Sequence, residues 1–213
     1  MPPIVTQYAL DFDPIKAGAI GYSLPSWQDV HYDKMMYEEH PLLAEVIKLN
    51  AKNKALSLLQ EYFENFYLNN LCDISRGKNR LEDQISNNWA SIEKIFKELF
   101  GTPFSPEQVL IIGISALPPQ IAHAEAERID LYYKTNDFIP SLLHELIHIQ
   151  LAQQLRSSGV FKEKMKNPDE LRYYIESKTD QLLASHRSKL AQRARARYTL
   201  TDEDWNRGAT QRW

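Results

Sequence analysis

Between Ile139 and Ser157 the chain is apolar wherever a helix would pack, yet two histidines and a glutamate interrupt the run. Asn136 and Asp137 offer helix caps and Pro140 suits a first turn, so a helix is expected to open near Ile139. Leu142, Leu143, Leu146, Ile147, Leu151 and Leu155 then require a body to bury against. His144 and His148 recur at the helical i, i+4 interval, one above the other on one face, and each can offer an imidazole nitrogen to a single ion. Glu145 is offset by one residue, beside such an ion and within reach of a water bound to it. Histidines satisfied by ordinary hydrogen bonds would leave unexplained why three polar side chains break an apolar helix.

Composition narrows the choice of metal site. Cys72 is the only cysteine in 213 residues, which excludes an intrachain disulfide and a cysteine cage and leaves His, Asp and Glu as ligands. Cys72 itself follows apolar Leu71 and reads as a small packed residue. Hydrophobic residues make up 43% and charged residues 25%, a globular profile, and a net charge of −3 supplies no global field for nucleic acid. The basic run from Arg187 to Arg197 reads as the solvated face of a long helix. No signal peptide is visible at the start and no apolar run has the length of a membrane span. The expected location is cytoplasmic, or secreted without a cleaved signal.

The rest of the chain reads as α+β and mostly helical. Residues 1–41 lack periodicity and are expected to form an irregular arm, with His31, Glu38, Glu39 and His40 facing water. A helix from Leu42 to Tyr67, a turn at Arg76-Gly77-Lys78-Asn79 and a second helix from Arg80 to Phe100, ended by Gly101, complete a helical region over 1–104. Residues 105–213 change character. Val109–Ile114 suits a buried strand, and Arg128–Lys134 alternates like a half-buried or edge strand. After the helix from Ile139 to Ser157, a last helix runs from about Asp169 past Leu190. A small mixed or antiparallel sheet packed on the histidine helix is the expected arrangement.

A catalytic zinc normally takes three protein ligands, with water in the fourth position. Glu176, on the last helix, is the leading third ligand, and Glu163, Glu170, Asp180 and His186 remain alternatives. A third histidine within the same motif is disfavoured, because Gln154 follows His148 without the glycine step that pattern needs. His123, Glu125 and Glu127 alternate in a way that invites a second metal site, but reads better as an exposed face or loop.

His144-Glu145-Leu146-Ile147-His148 followed by Glu176-Ser177-Lys178-Thr179-Asp180 resembles the gluzincin metallopeptidases, the thermolysin-like superfamily, over about residues 107–185. The resemblance implies one Zn2+ held by His144, His148 and Glu176, with Glu145 as general base and Asp180 orienting His144 from behind. It also implies that Arg128, Asp130 and Tyr132 lie on a strand that binds extended substrate backbone. The chain is much shorter than thermolysin and no motif places an oxyanion stabiliser. Tyr173, one turn before Glu176, is the leading candidate, with Tyr174, His186 and His123 behind it. The expected activity is zinc-dependent hydrolysis of a protein or peptide substrate. The rival expectation is a non-catalytic helical interaction protein with a structural zinc site.

Overall fold

The computed structural model describes residues 2–21, 32–47, 52–107, 109–118, 121–123, 127–158 and 168–198. The molecule is α+β and mostly helical, as the sequence implies. Its sheet runs in the order β1 (Ile4–Tyr8), β2 (Leu110–Ser115), β4 (Arg128–Tyr132), β3 (Ile121–His123). β1, β2 and β4 are parallel, and β3 closes one edge antiparallel to β4. The supposed irregular arm therefore supplies a strand. Ile4 pairs with Leu110 and Tyr8 with Ile114, so the sheet crosses the line drawn at residue 104.

Strand side chains alternate between faces. One face is apolar, with Leu110, Ile112 and Ile114 of β2 and Ile129 and Leu131 of β4 all buried. Against it lies α5 (Leu71–Phe100), whose buried stripe of Ile74, Gly77, Leu81, Ile85, Trp89, Ile92 and Phe96 follows the helical period. Tyr8 bonds Ser75, and Thr6 bonds Glu82, from the strand to this helix. Gly101, at φ 77°, ends the helix in the left-handed conformation as expected.

The turn expected at Arg76–Asn79 is uninterrupted helix, and the break falls at Asn70, between α4 (Lys52–Asn69) and α5. Gly77 serves close approach. A Cβ there would lie 2.7 Å from the Tyr133 carbonyl oxygen, so its absence lets the helix lie against the turn after β4. Phe104, at the boundary expected between the two regions, is buried against Trp89 and Phe96, and one apolar core spans both halves of the chain.

The opposite face carries Gly113, Ser115, Arg128 and Asp130. α1 (Asp13–Gly21) lies over it, and Lys16 donates to Ser115 Oγ at 3.2 Å and to the Leu117 carbonyl at 2.9 Å. Two short helices, α2 (Tyr32–Glu39) and α3 (Leu43–Ile47), follow α1. His40, expected to face water, is buried after α2, with Nδ1 2.9 Å from the Tyr62 hydroxyl and Nε2 2.9 Å from the Ala116 carbonyl. Glu38 of the same group is exposed, and His31 lies outside the described residues.

The histidine helix, α6 (Ile139–Ser157), packs against β3, β4 and α5. Its entry differs from the reading. Phe138 occupies the cap position without a side-chain cap, and Gln84 of α5 holds the approach instead. Gln84 Nε2 donates to the Asn136 carbonyl and its Oε1 accepts from the Phe138 amide, both at 2.8 Å. The last helix is two, α7 (Pro168–Ser185) and α8 (Lys189–Tyr198). At the break, the Ser188 amide donates to His186 Nδ1 at 3.2 Å while His186 Nε2 meets Glu98 at 2.8 Å. Buried Ala191 and Ala194 let α8 approach α6 closely. Arg193 pairs with Asp137 and Arg195 with Asp180, so part of the basic run ties α8 to the rest of the protein. No helix among the described residues is long and apolar enough to cross a membrane.

Candidate metal centre

α6 places His144, Glu145 and His148 on adjoining turns, and α7 crosses it with Glu176. Both histidines turn Nε2 toward one atom: His144 Nε2 lies 3.3 Å and His148 Nε2 3.4 Å from Glu176 Oε2. Ligands about 2.0–2.1 Å from a tetrahedral ion stand about 3.3–3.4 Å from one another. Both spacings to Glu176 are therefore those between ligands of one tetrahedral zinc. The two imidazole rings sit edge to face at 4.4 Å.

A second grouping is possible, since ligand atoms of His144, Glu145 and His148 lie within 4.8 Å of one another. Glu145 Oε2, however, is 3.3 Å from His148 Nδ1, the nitrogen turned away from Glu176. Its carboxylate thus meets the far nitrogen of His148, not the shared oxygen of Glu176. Glu145 and Glu176 are thus the two carboxylates that could complete a His144–His148 pair, and of the two it is Glu176 that faces both Nε2 atoms.

The electrostatics favour a cation. Burial disfavours a charged imidazole at His148, but the carboxylates of Glu176 and Glu145 outweigh it and push its pKa up to about 10. Burial likewise opposes ionisation of Glu176, yet His148 and His144 hold its carboxyl well below the usual range. The cluster thus favours one positive charge among its carboxylates, and a proton or a metal ion could equally provide it.

Other expected site residues fall elsewhere. Asp180 does not back His144 in this geometry: its two oxygens accept from Arg195 Nε at 2.8 Å and Nη2 at 3.4 Å. β4 is bonded to β2 on one side and, over Arg128–Asp130, to β3 on the other, so Arg128 and Asp130 do not form an edge, while Tyr132 lies past the residues paired with β3. Arg128 and Asp130 are buried and paired at 2.9 Å, with the guanidinium over the Phe12 ring. The edge on this side of the sheet belongs to β3. Tyr173 and Tyr174 are both exposed on α7.

Among the alternatives, His186 is taken by Glu98, and Glu163 lies outside the described residues. Glu127 departs from the exposed face or loop expected of it. It is buried, and its Oε1 accepts from Gln153 Nε2 at 2.6 Å and the Glu107 amide at 2.7 Å, while Glu125 lies outside the described residues. Cys72, expected to be packed, is exposed.

Sequence reasoning missed Gln84 and Arg80, whose guanidinium donates to the Tyr133 and Thr135 carbonyls and helps fix the turn into α6. Both lie on the flank of a helix whose apolar stripe carried the signal, and nothing local marks their partners. Comparison with models of protein families, with curated proteins and with solved structures returns no match.

Proposed function

We propose that this protein is a zinc-dependent peptidase of gluzincin type acting on a protein or peptide substrate. The observation that carries the reading is the convergence of His144 Nε2 and His148 Nε2 on one oxygen of Glu176 at tetrahedral ligand spacing. His144, His148 and Glu176 would hold the zinc, which would supply Lewis acidity toward a scissile carbonyl and an attacking water. Glu145 accepts the proton of the attacking water and delivers it to the leaving amine nitrogen. The buried walls of α6 exclude bulk water from the inner side of the site. Tyr173, exposed one turn before Glu176, remains the candidate donor to the oxyanion.

Glu145→Gln separates this reading from its rival. The peptidase reading expects zinc at near wild-type stoichiometry and hydrolysis of a fluorogenic peptide library reduced about 10²–10⁴-fold. Glu176→Ala should instead release the metal. The rival, a structural zinc in a non-catalytic interaction protein, draws on the closeness of Glu145 to both histidines. It expects Glu145→Gln to lose zinc as Glu176→Ala does, because Glu145 would then close the coordination sphere.

A further inference from the structure

The edge of the sheet at β1 is open. Successive residues of a strand turn their N–H and C=O alternately to its two sides. The Pro3 carbonyl accepts from the Leu110 amide at 3.1 Å and the Ala9 amide donates to the Ile114 carbonyl at 2.9 Å, so Pro3, Val5, Gln7 and Ala9 face β2. Ile4, Thr6 and Tyr8 therefore turn their backbone groups outward, where they have no hydrogen-bond partner among the described residues. Edge strands are commonly blunted by charge, by a bulge or by a covering segment. β1 carries no charged residue, runs in unbroken register with β2, and leaves Val5 47% and Tyr8 36% exposed.

The pattern along this edge selects its occupant. The outward series is bounded at both ends, because Pro2 has no N–H and the strand has ended before Leu10. Thr6 is the midpoint of what remains. A second β1 laid antiparallel about that midpoint sets Thr6 opposite Thr6 and Ile4 opposite Tyr8 in both directions, and every such pair exchanges both of its bonds. A register shifted to Ile4 opposite Thr6 leaves Tyr8 unpaired. Side chains agree with the central register. On the face toward α5, aliphatic Ile4 meets aromatic Tyr8 and threonine meets threonine, and on the other face Val5 meets Gln7. The flank of α5 beside Thr6 carries Glu82, which bonds the Thr6 hydroxyl and pairs with Lys78 at 2.6 Å. A two-fold axis there opposes two neutral pairs rather than two like charges.

We propose that β1 is a homodimer interface, pairing antiparallel with β1 of a second copy about a two-fold axis at Thr6. The two four-stranded sheets then form one continuous sheet. The contact is isologous and closed, since each copy uses the same edge and none is left to recruit a third. Closure of this kind lets an uncharged edge exist without open-ended aggregation. β3, which packs on α6, is the opposite edge of the sheet and takes no part in the contact. The inference is therefore independent of what the metal centre does.

The test is the mass of the full chain in solution, by sedimentation and light scattering over a dilution series, with circular dichroism to verify that each variant is folded. Wild type should be a dimer that dissociates on dilution. Val5→Lys changes an exposed side chain, brings like charges diagonally across the axis, and should be monomeric where wild type is dimeric. Val5→Glu should behave alike, and an equimolar mixture of the two variants should regain the dimer. The register is read by oxidation in a Cys72→Ser background. Thr6→Cys should cross-link two copies, because a bonded antiparallel pair sets its Cα atoms about 5.5 Å apart. Gln7→Cys, which faces Val5 of the other copy, should not. The proposal is overturned by a wild type that is monomeric throughout or larger than a dimer. It is equally overturned by a dimer that both Val5 variants leave intact, by a mixture that stays monomeric, or by cross-linking at Gln7 in place of Thr6.

Discussion

The carboxylate of Asp130 occupies the space in which a side chain at position 113 would begin. A Cβ on Gly113 would overlap Asp130 Oδ1 and come within 3.0 Å of Arg128 Nη2. Neither neighbour is free to yield, because both are buried and bonded to each other. Gly113→Ala is therefore expected to cost about 3 kcal/mol or more, at the upper end for overpacking, in a urea melt. Gly77 has the same use against the Tyr133 carbonyl, although the sequence reads it as a turn. A glycine signals either a bend or a close approach, and one sequence does not say which. His144, Glu145 and His148 were legible because their relation is set within one helix. Asp180 was not, because whether a residue of α7 faces α6 or α8 depends on how three helices pack.

At the scale of elements, α1 is attached to the sheet mainly by buried polar groups. Asp13 Oδ1 accepts from Ser115 Oγ at 2.6 Å, while its Oδ2 accepts from the Ala116 amide at 2.7 Å and the Tyr67 hydroxyl at 2.8 Å. Lys16 meets the same strand end, so α1, α4 and β2 are joined at one point. Asp13→Ala strands a buried lysine and three donors, and is expected to cost about 3–5 kcal/mol. The double variant Asp13→Asn with Lys16→Met should lose less, and equilibrium unfolding of the two compares them directly. Burial dominates at Asp13 and pushes its pKa up to about 6, against the opposing pull of Lys16 and its hydrogen bonds. The folded pKa lies above the usual carboxylate value. Its contribution therefore favours the fold most below the ordinary carboxylate value of 3.8 and is lost as pH rises through about 6. Wild type should lose stability relative to Asp13→Asn over that window; a difference independent of pH would contradict the assignment. None of this network was legible in residues 1–41, since β1 takes its register from β2, far along the chain.

For the molecule as a whole, the metal reading has a consequence that needs no substrate. α6 is buried on almost every side, whereas the buried side chains described on α7 are only Thr179 and Leu183. An ion held by His144 and His148 from α6 and by Glu176 from α7 would add a bond between a well-anchored helix and a lightly anchored one. Binding to the folded chain alone stabilises it by about 2.7 kcal/mol at a free zinc concentration 100 times Kd. For a chain of 213 residues that corresponds to a rise of about 5–10 °C in Tm. The rise should reverse with a chelator and shrink sharply in Glu176→Ala, while Glu145→Gln keeps most of it. Hydrogen exchange should place the added protection on α6 and α7 together, because the ion joins those two helices. Protection confined to α6 would mean that the histidines bind zinc without Glu176. The two helices would then owe their crossing to side-chain packing, with Leu183 at its centre, and the ligand set would have to be redrawn.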